Sequence, residues 1–188
     1  MNNCSLDSLC SSLSRRCRFL AANTSSSQEL APNEILMMLS EYFTAMSKVI
    51  IQTEGILLEF IGDAILAIWN APYDVKKHAI ACISATLSMQ AELKRLREKW
   101  KEKGYPPIHI RCGVHTDSVF VGNLGAPDRM KYGVMGDGVN LASRLEELNK
   151  RYGTKNLISD KTFSCEGVLD RFQLRHVDRV VVKGRSKR

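Results

Sequence analysis

Two carboxylates interrupt an otherwise apolar stretch of the chain, LLEFIGDAILAIW, at residues 57–69. Glu59 and Asp63 lie in this stretch, and Gly62 directly precedes Asp63. A hairpin tip would expose the carboxylate of Asp63 at a sheet end, where Mg²⁺ takes oxygen ligands and keeps substrate phosphates in its shell. Gly-Asp is also an ordinary turn signal, so on its own the pair leaves a metal site and a simple turn both open.

Glu59 is not explained by a turn, because it lies inside the first apolar run. Strict alternation along a strand places Leu57, Glu59, Ile61 and Asp63 on one face. A carboxylate on such a face requires a hydrogen-bonding partner, and a ligand that carries N–H donors would supply one.

Regular hydrophobic spacing predicts the elements around this segment. Apolar residues at helical spacing indicate a helix over residues 32–54, with Asn33 as its N-cap. Two apolar runs, 56–61 and 64–69, are typical of a β-hairpin with a two-residue turn. A long amphipathic helix follows over residues 75–103.

Short extended segments follow this helix. Residues 106–115 and 118–125 alternate as the two strands of a second hairpin, and residues 129–135 are extended. NLIS, from residue 156, is a short strand, and FQLRHVDRVVVKG, from residue 172, is a strand pair or one bent strand.

The segment DGVNLASRLEELNKRY predicts a third helix, with Asp137 as N-cap and Gly153 as C-cap. Its apolar positions fall on one face: Val139, Leu141, Leu145 and Leu148. The order helix, hairpin, helix, hairpin, helix, strand predicts an α+β fold with the helices on one face of a mainly antiparallel sheet.

Composition limits the classes of protein to which this chain can belong. The six cysteines form no C-x-x-C pair, which favours reduced, intracellular thiols over a disulfide framework. No apolar run approaches the length of a membrane span. The formal net charge of +7 favours an anionic partner. Nucleic-acid binding is not expected, because aromatic-rich strands that stack bases are missing.

Residues 1–28 differ from the rest of the chain, since they are rich in Ser, Cys and Arg and have little periodicity. They are interpreted as an atypical tail that is either disordered, a transit-type segment or a replacement of a first strand. Residues 29–188 are expected to form the folded domain.

Several segments together resemble the catalytic domain of class III nucleotidyl cyclases, the adenylyl and guanylyl cyclases. They are EGILLEFIGDAILAIWNAP, IRCGVHTDSVFVGNLGAPDRMKYGVMGDGVNLASRLEELNKRYG, LISDKTF and VVVKGR, in this order over residues 27–185. The resemblance implies a ferredoxin-like sheet and conversion of a nucleoside triphosphate into a 3′,5′-cyclic nucleotide and pyrophosphate for signalling. It also implies two Mg²⁺ or Mn²⁺ ions, in-line attack by the ribose 3′-hydroxyl, and a site between two domains of a homodimer or heterodimer.

The resemblance assigns roles to individual residues. Asp63 matches a metal-binding aspartate, and Arg111 matches the arginine that contacts the triphosphate. Asn140 resembles the asparagine that orients the ribose, and Arg144 resembles the arginine that stabilises charge on the α-phosphate. Lys183, in VVVKGR, resembles the lysine that holds the terminal phosphates.

Base selection is assigned by the resemblance to Glu59 and Gly133. Guanylyl cyclases carry Glu at the first position, where adenylyl cyclases usually carry Lys. A carboxylate accepts hydrogen bonds from guanine N1–H and N2–H, so Glu59 favours GTP, with ATP as the alternative. Gly133 has no side chain to read a base edge and favours neither nucleotide.

The chain also departs from the family pattern. The family spacing places Phe19 at the first metal aspartate, and FLAAN stands for D-I-x-G-F. Asp117 replaces a usual Gly, and the first and last strands of the fold are expected to be missing. A homodimer of this chain is expected to show weak or no turnover, because one carboxylate holds two Mg²⁺ ions poorly.

Three interpretations remain open for these departures. The chain is a cyclase domain with a faulty N-terminus, a degenerate half whose partner supplies both aspartates, or a pseudocyclase that only binds nucleotide or supports a partner chain. The expected location is cytoplasmic, either free or tethered to a membrane in a longer parent protein.

Overall fold

A sheet with helices on both faces forms the part of the chain that the structure describes. It is a computed structural model, which describes residues 30–180 in full and residues 15–23 by their backbone. The strands are β1 (Arg15–Asn23), β2 (Ile56–Ile61), β3 (Ala64–Trp69), β4 (Ile110–Ser118), β5 (Phe120–Ala126), β6 (Arg129–Met135) and β7 (Asn156–Ile158). The helices are α1 (Pro32–Gln52), α2 (His78–Glu102), α3 (Asp137–Tyr152), α4 (Asp160–Phe163) and α5 (Val168–Arg171).

The main sheet has the strand order β2-β3-β1-β4-β7. β1 pairs antiparallel with β3 and β4, β2 pairs antiparallel with β3, and only β7 runs parallel to its neighbour, β4. The mainly antiparallel α+β fold is therefore confirmed, and so are the predicted bounds of the β2–β3 hairpin.

β1 lies in the segment that the sequence analysis set apart as a tail. Its backbone pairs with β4 over nine positions, from Arg15 opposite Ser118 to Asn23 opposite Ile110. The expectation that the first strand is missing was therefore wrong, since a strand fills the centre of the sheet. The rest of residues 1–28 and the expected absence of a last strand lie outside the described residues.

The second hairpin was assigned to the wrong pair of strands. β5 does not pair with β4 but with β6, in a separate two-stranded sheet. β1 occupies one edge of β4 over its whole length, and β7 occupies the other edge at Cys112–Val114, so β5 finds its partner in β6 instead. Residues 172–180, expected to be extended in a strand, have no assigned strand.

Helices cover both faces of the sheet, not one face as predicted. Cys112 and Val114 of β4 are buried in the apolar core that α1 and α2 share. Gly113 points the opposite way, and a Cβ there would lie 2.2 Å from the carbonyl oxygen of Ala142 in α3. Strand alternation thus sends successive residues of β4 to different helices.

The face that α3 buries also differs from the prediction. Its buried residues are Gly138, Ala142, Glu146 and Asn149. The predicted apolar face, with Leu141 and Leu145, is only half-buried. Small and polar residues line the contact because the helix backbone lies directly on Gly113, and the Asn149 amide donates to the Cys112 carbonyl oxygen at 3.0 Å.

Two helix starts lie next to the residues that were predicted to cap them. α1 begins at Pro32 with Ala31 as N-cap, since proline fits the first helical position, where no N–H is needed. α3 begins at Asp137, and its N-cap is Gly136. The C-cap prediction is confirmed, because Gly153 ends α3 in the left-handed conformation with φ 63°.

Candidate active site

Asp63 lies at the tip of the β2–β3 hairpin. Gly62 adopts φ 61° in this turn, a conformation that glycine takes at no steric cost, and Asp63 is exposed. Burial raises the pKa of Tyr42 and of Glu146, and the negative charge of Asp63 adds a smaller contribution in the same direction to both. Within residues 30–180 no group of three or more His, Cys, Asp or Glu is arranged to hold a metal ion.

The register of β1 separates Phe19 from this tip. Phe19 pairs with Ala67, which is four residues from Asp63 along β3 and the turn, or about 13 Å at strand spacing. Ala21 pairs with Ile65, the last pair between these two strands. If this register is continued by two residues on each side, Asn23 rather than Phe19 is the β1 residue that corresponds to Asp63, the predicted metal ligand.

Arg111 forms an ion pair with Glu146 of α3. The Nε atom of Arg111 donates to Oε1 of Glu146 at 2.9 Å, and the Glu146 side chain is only 6% exposed. Burial raises the pKa of Glu146, while the charge of Arg111 opposes that shift and the charges of Glu147 and Asp63 add to it. The pair ties β4 to α3 and holds the guanidinium at the edge of their contact.

Asn140 and Arg144 both lie on α3, one turn apart, as their spacing predicted. Asn140 is exposed and Arg144 is half-buried. Among the described residues Arg144 forms no ion pair with Glu147. Because α3 lies so closely on Gly113, the position of both side chains depends on that strand residue.

Glu59 does not follow the strict alternation that the sequence predicted. The pairing of β2 with β3 shifts between Leu57 and Glu59, which is a β-bulge. A bulge adds one residue to a strand and redirects the side chains after it. Glu59 meets Lys131 of β6, with its Oε1 atom 2.6 Å from the lysine Nζ atom.

Gly133, the second predicted base selector, lies two residues from Lys131 on β6. Residues two apart on a strand share a face, so Gly133 and Lys131 do so. Lys183, the predicted phosphate-binding lysine, lies outside the described residues.

Sequence reasoning missed Lys131 and a polar cluster at the end of β4. His115 is buried, and its Nδ1 and Nε2 atoms lie 2.7 Å from Ser159 Oγ and 3.3 Å from Asp117 Oδ2. Burial opposes the charge of Asp117, but hydrogen bonds from Lys161 and His115 outweigh it and lower the pKa of Asp117. The signal available in the sequence was Asp117 itself, which departs from the usual glycine.

Comparison with known proteins identifies the family to which this chain belongs. The family model described as "Adenylate and Guanylate cyclase catalytic domain" matches residues 19–188. The chain therefore belongs to the adenylate and guanylate cyclase catalytic domain family. The match begins at Phe19, inside β1.

Curated relatives agree with this assignment. Adenylate cyclase 1 of Rhizobium meliloti (strain 1021) is 37% identical over 164 residues, which cover 87% of this chain and 24% of that protein. The adenylate cyclase of Anabaena cylindrica is 32% identical over 169 residues, 87% of this chain and 33% of that protein. This chain thus spans about a quarter to a third of their length.

Solved structures share the fold. The adenylyl cyclase CyaB from P. aeruginosa superposes with a TM-score of 0.84 at 32% identity, covering 92% of this chain and 89% of that chain. The guanylyl cyclase Cya2 superposes with a TM-score of 0.79, also at 32% identity, covering 90% and 86%. Equal identity to an adenylyl and a guanylyl cyclase means that similarity does not identify the base. No helix in the described part of the chain is long and apolar enough to cross a membrane.

Proposed function

We propose that this chain is a nucleotidyl cyclase domain, made of β1 and residues 29–188, that acts in intracellular signalling. It converts GTP, with ATP as the alternative, into a 3′,5′-cyclic nucleotide and pyrophosphate. The observation that carries this proposal is the contact of α3 with β4 at Gly113. That contact holds Asn140 and Arg144 on one rigid helix, which is tied in turn to Arg111 through Glu146.

Two arginines act as fixed positive charges in this reaction. Arg111 binds the triphosphate, and Arg144 stabilises the negative charge that develops on the α-phosphate. Asn140 orients the ribose so that its 3′-hydroxyl oxygen attacks the α-phosphorus in line. The bond from this phosphorus to the oxygen that bridges to the β-phosphate breaks, pyrophosphate leaves, and the hydroxyl proton is released. Charges that are fixed before the reaction lower its barrier without a reorganisation cost.

Asp63 is the residue that would hold a metal ion. An exposed carboxylate at a sheet end suits Mg²⁺ or Mn²⁺, which take oxygen ligands and share their shell with phosphates. When bound, such an ion activates the attacking hydroxyl and neutralises phosphate charge. Lys183 is assigned to the terminal phosphates from the sequence.

The β5–β6 hairpin supports assembly with a second cyclase domain, either a copy of this chain or a related one. It exposes three large apolar side chains: Phe120 (66%) and Met135 (60%), which pair at its open end, and Met130 (61%), which lies near its turn. Large apolar side chains exposed along a hairpin are typical of a protein interface. The site would then lie between the two domains.

Cyclic nucleotide formation from GTP and from ATP with Mn²⁺ tests this function. We would compare the chain as it stands with Asn23→Asp and Phe19→Asp, and use Asp63→Asn as the matched control. The register of β1 predicts that Asn23→Asp raises turnover and that Phe19→Asp does not. Metal-dependent product that Asp63→Asn fails to abolish would contradict the assigned role of Asp63.

A second candidate function is a pseudocyclase half that binds nucleotide or supports a partner cyclase chain. The observation that favours it is that the β2–β3 turn, Gly62–Asp63, carries one carboxylate, and that no group of three or more metal-ligating side chains lies within the described residues. Its signature is nucleotide binding with no product from the unsubstituted chain, from Asn23→Asp or from Phe19→Asp, and product when a partner with both aspartates is added. Either function places the domain in the cytoplasm, where GTP and ATP are available.

A further inference from the structure

The first turn of α3 has no cap from its own sequence. Its N-cap residue is Gly136, which has no side chain, and no side-chain hydrogen bond caps the helix start. The first four N–H groups of an α-helix have no carbonyl partner in a preceding turn, so such a start frays unless something packs against it. Asn140 is the fourth residue of this helix, and its position therefore depends on how the first turn is held.

The end of β4 packs directly against this turn. Gly138, the second residue of α3, is buried, and a Cβ added there would lie 2.8 Å from Cβ of Asp117 and 3.2 Å from Cδ2 of His115. The same point would lie 3.4 Å from Oδ2 of Asp117. The helix backbone therefore contacts both side chains. The carboxylate lies at the positive end of the helix dipole, where a negative charge is stabilising.

The carboxylate of Asp117 is held through both of its oxygens. Lys161 Nζ, from α4, donates to Oδ1 at 2.7 Å, and the Ser118 N–H donates to the same oxygen at 3.0 Å. The Nε2 atom of His115 lies 3.3 Å from Oδ2, and Nδ1 of the same ring lies 2.7 Å from Oγ of Ser159. Because His115 is only 1% exposed, these contacts fix the orientation of the carboxylate against α3.

The middle of α3 has a separate contact with β4. Gly113 meets the helix backbone within residues 142–146, a range that includes Arg144. This contact sets where the helix as a whole lies, and it fixes the turn of Arg144 directly. The uncapped first turn requires its own support, which Asp117 provides next to Asn140. The two candidate site residues of α3 thus depend on different residues of β4.

We propose that Asp117 is a positioning residue for Asn140, which holds the first turn of α3 in place of the missing cap. It thereby sets where the Asn140 amide meets the ribose, without contacting the nucleotide itself. This inference rests on the proposed function, since the role of Asn140 belongs to that function. A residue that only stabilised the domain would affect the contributions of Asn140 and Arg144 alike, whereas Asp117 acts through Asn140.

Calorimetric titration of the full chain with GTP and Mn²⁺ tests this inference by binding and does not require turnover. Asp117→Ala should weaken GTP binding about fivefold, the size of one lost hydrogen bond. In a chain that already carries Asn140→Ala, the same substitution should cause no further loss, because the group that Asp117 positions is gone. In a chain that carries Arg144→Ala, the fivefold loss should remain.

Two further variants separate positioning from stability. Asp117→Asn keeps the side-chain volume and an acceptor for Lys161, so it should fold even if Asp117→Ala does not. It should weaken GTP binding about twofold, in the same pattern across the two backgrounds. Asp170→Ala, which removes an exposed carboxylate of α5, is the matched control and should leave the affinity unchanged. Chemical unfolding without nucleotide measures the stability of each variant.

Equal losses of affinity in the Asn140→Ala and Arg144→Ala backgrounds would overturn the positioning role of Asp117 and leave the cyclase proposal standing. Unchanged GTP binding in both Asp117→Ala and Asp117→Asn would have the same meaning. Coupling to Asn140 alone is the result expected if Asp117 acts through the first turn of α3. If the unsubstituted chain bound neither GTP nor ATP, both proposals would fail.

Discussion

The two faces of β4 differ in what they bury, although a single strand builds both. One face packs into the apolar core with α1 and α2 through three fully buried residues: Ile110, Cys112 and Val114. The other face meets α3 through Arg111, Gly113 and His115, of which two are polar and one has no side chain.

We propose that this difference separates stability from function within one strand. The apolar face gains free energy from burial, and it tolerates changes that keep volume and hydrophobicity. The α3 face has little apolar surface to bury, and it holds its helix by close backbone approach, one ion pair and the Asn149 amide. Every residue assigned to phosphate or ribose binding in the described part of the chain lies on or beside this second face.

The largest expected effect comes from adding a side chain at Gly113. Gly113→Val would place Cβ 2.2 Å from the Ala142 carbonyl oxygen and 2.4 Å from the Glu146 nitrogen, both of them backbone atoms that cannot rotate away. We expect α3 to shift, nucleotide binding to be lost and the free energy of unfolding to fall by about 1–3 kcal/mol. Calorimetric binding and chemical unfolding measure the two effects.

Cys112→Ala is the matched control on the opposite face of β4. It removes a buried sulfur from the apolar core, so it should lower the free energy of unfolding and leave nucleotide affinity unchanged. Loss of nucleotide binding in Cys112→Ala, with binding retained in Gly113→Val, would contradict the assignment of stability to the apolar face and of nucleotide binding to the α3 face.

The next largest effect is expected at Arg144. Arg144→Ala should lower the rate of cyclic nucleotide formation about 100- to 1000-fold, the usual cost of removing one group that stabilises transition-state charge. The unfolding free energy should change little, because this side chain is only half-buried and forms no ion pair with Glu147. The measurement is the turnover number with Mn²⁺, and Arg144→Ala is introduced into whichever of the chains assayed above is most active. Arg151→Ala, at the exposed end of α3, is the control.

The β2–β3 hairpin was predictable to the residue because its signal is local. Two apolar runs and a Gly-Asp pair specify a two-residue turn without information from the rest of the chain. Asp63 was therefore assigned correctly to a tip. The pairing of strands that are distant in the sequence was not predictable in the same way. A strand with alternating polarity, such as β5, can pair with any free strand edge, and the sequence does not show which strand edges are already paired.

The faces of α3 and the partner of Glu59 escaped prediction for a related reason. Apolar periodicity identifies the buried face of a helix only when burial is apolar, whereas α3 is held by Gly113 and by hydrogen bonds. Lys131 lies far from Glu59 in the sequence and on a different sheet, so only the fold brings them together. The protein family followed from motifs, while the contact between Glu59 and Lys131 required the structure.

The smallest expected effect is the pH dependence of stability that two carboxylates near α3, Glu146 and Asp117, contribute. Burial raises the pKa of Glu146 above its ordinary value of 4.5, so the folded protein binds this proton more tightly than the unfolded chain. Stability should therefore fall as pH rises through 4.5 toward the raised pKa. Asp117 behaves in the opposite way, because its pKa is lowered below 3.8 and its contribution is lost only as pH falls through that lowered value.

Chemical unfolding of Glu146→Gln and Asp117→Asn between pH 3 and pH 7 separates the two contributions. Glu146→Gln should remove the loss of stability that sets in above pH 4.5, whereas Asp117→Asn should be destabilised at neutral pH and approach the parent chain in acid. Shifts of the same sign in both variants would contradict the assigned causes. Opposite signs would mean that the α3 contact keeps a buried carboxylate at a cost to stability, which is expected of a helix positioned for binding rather than for burial.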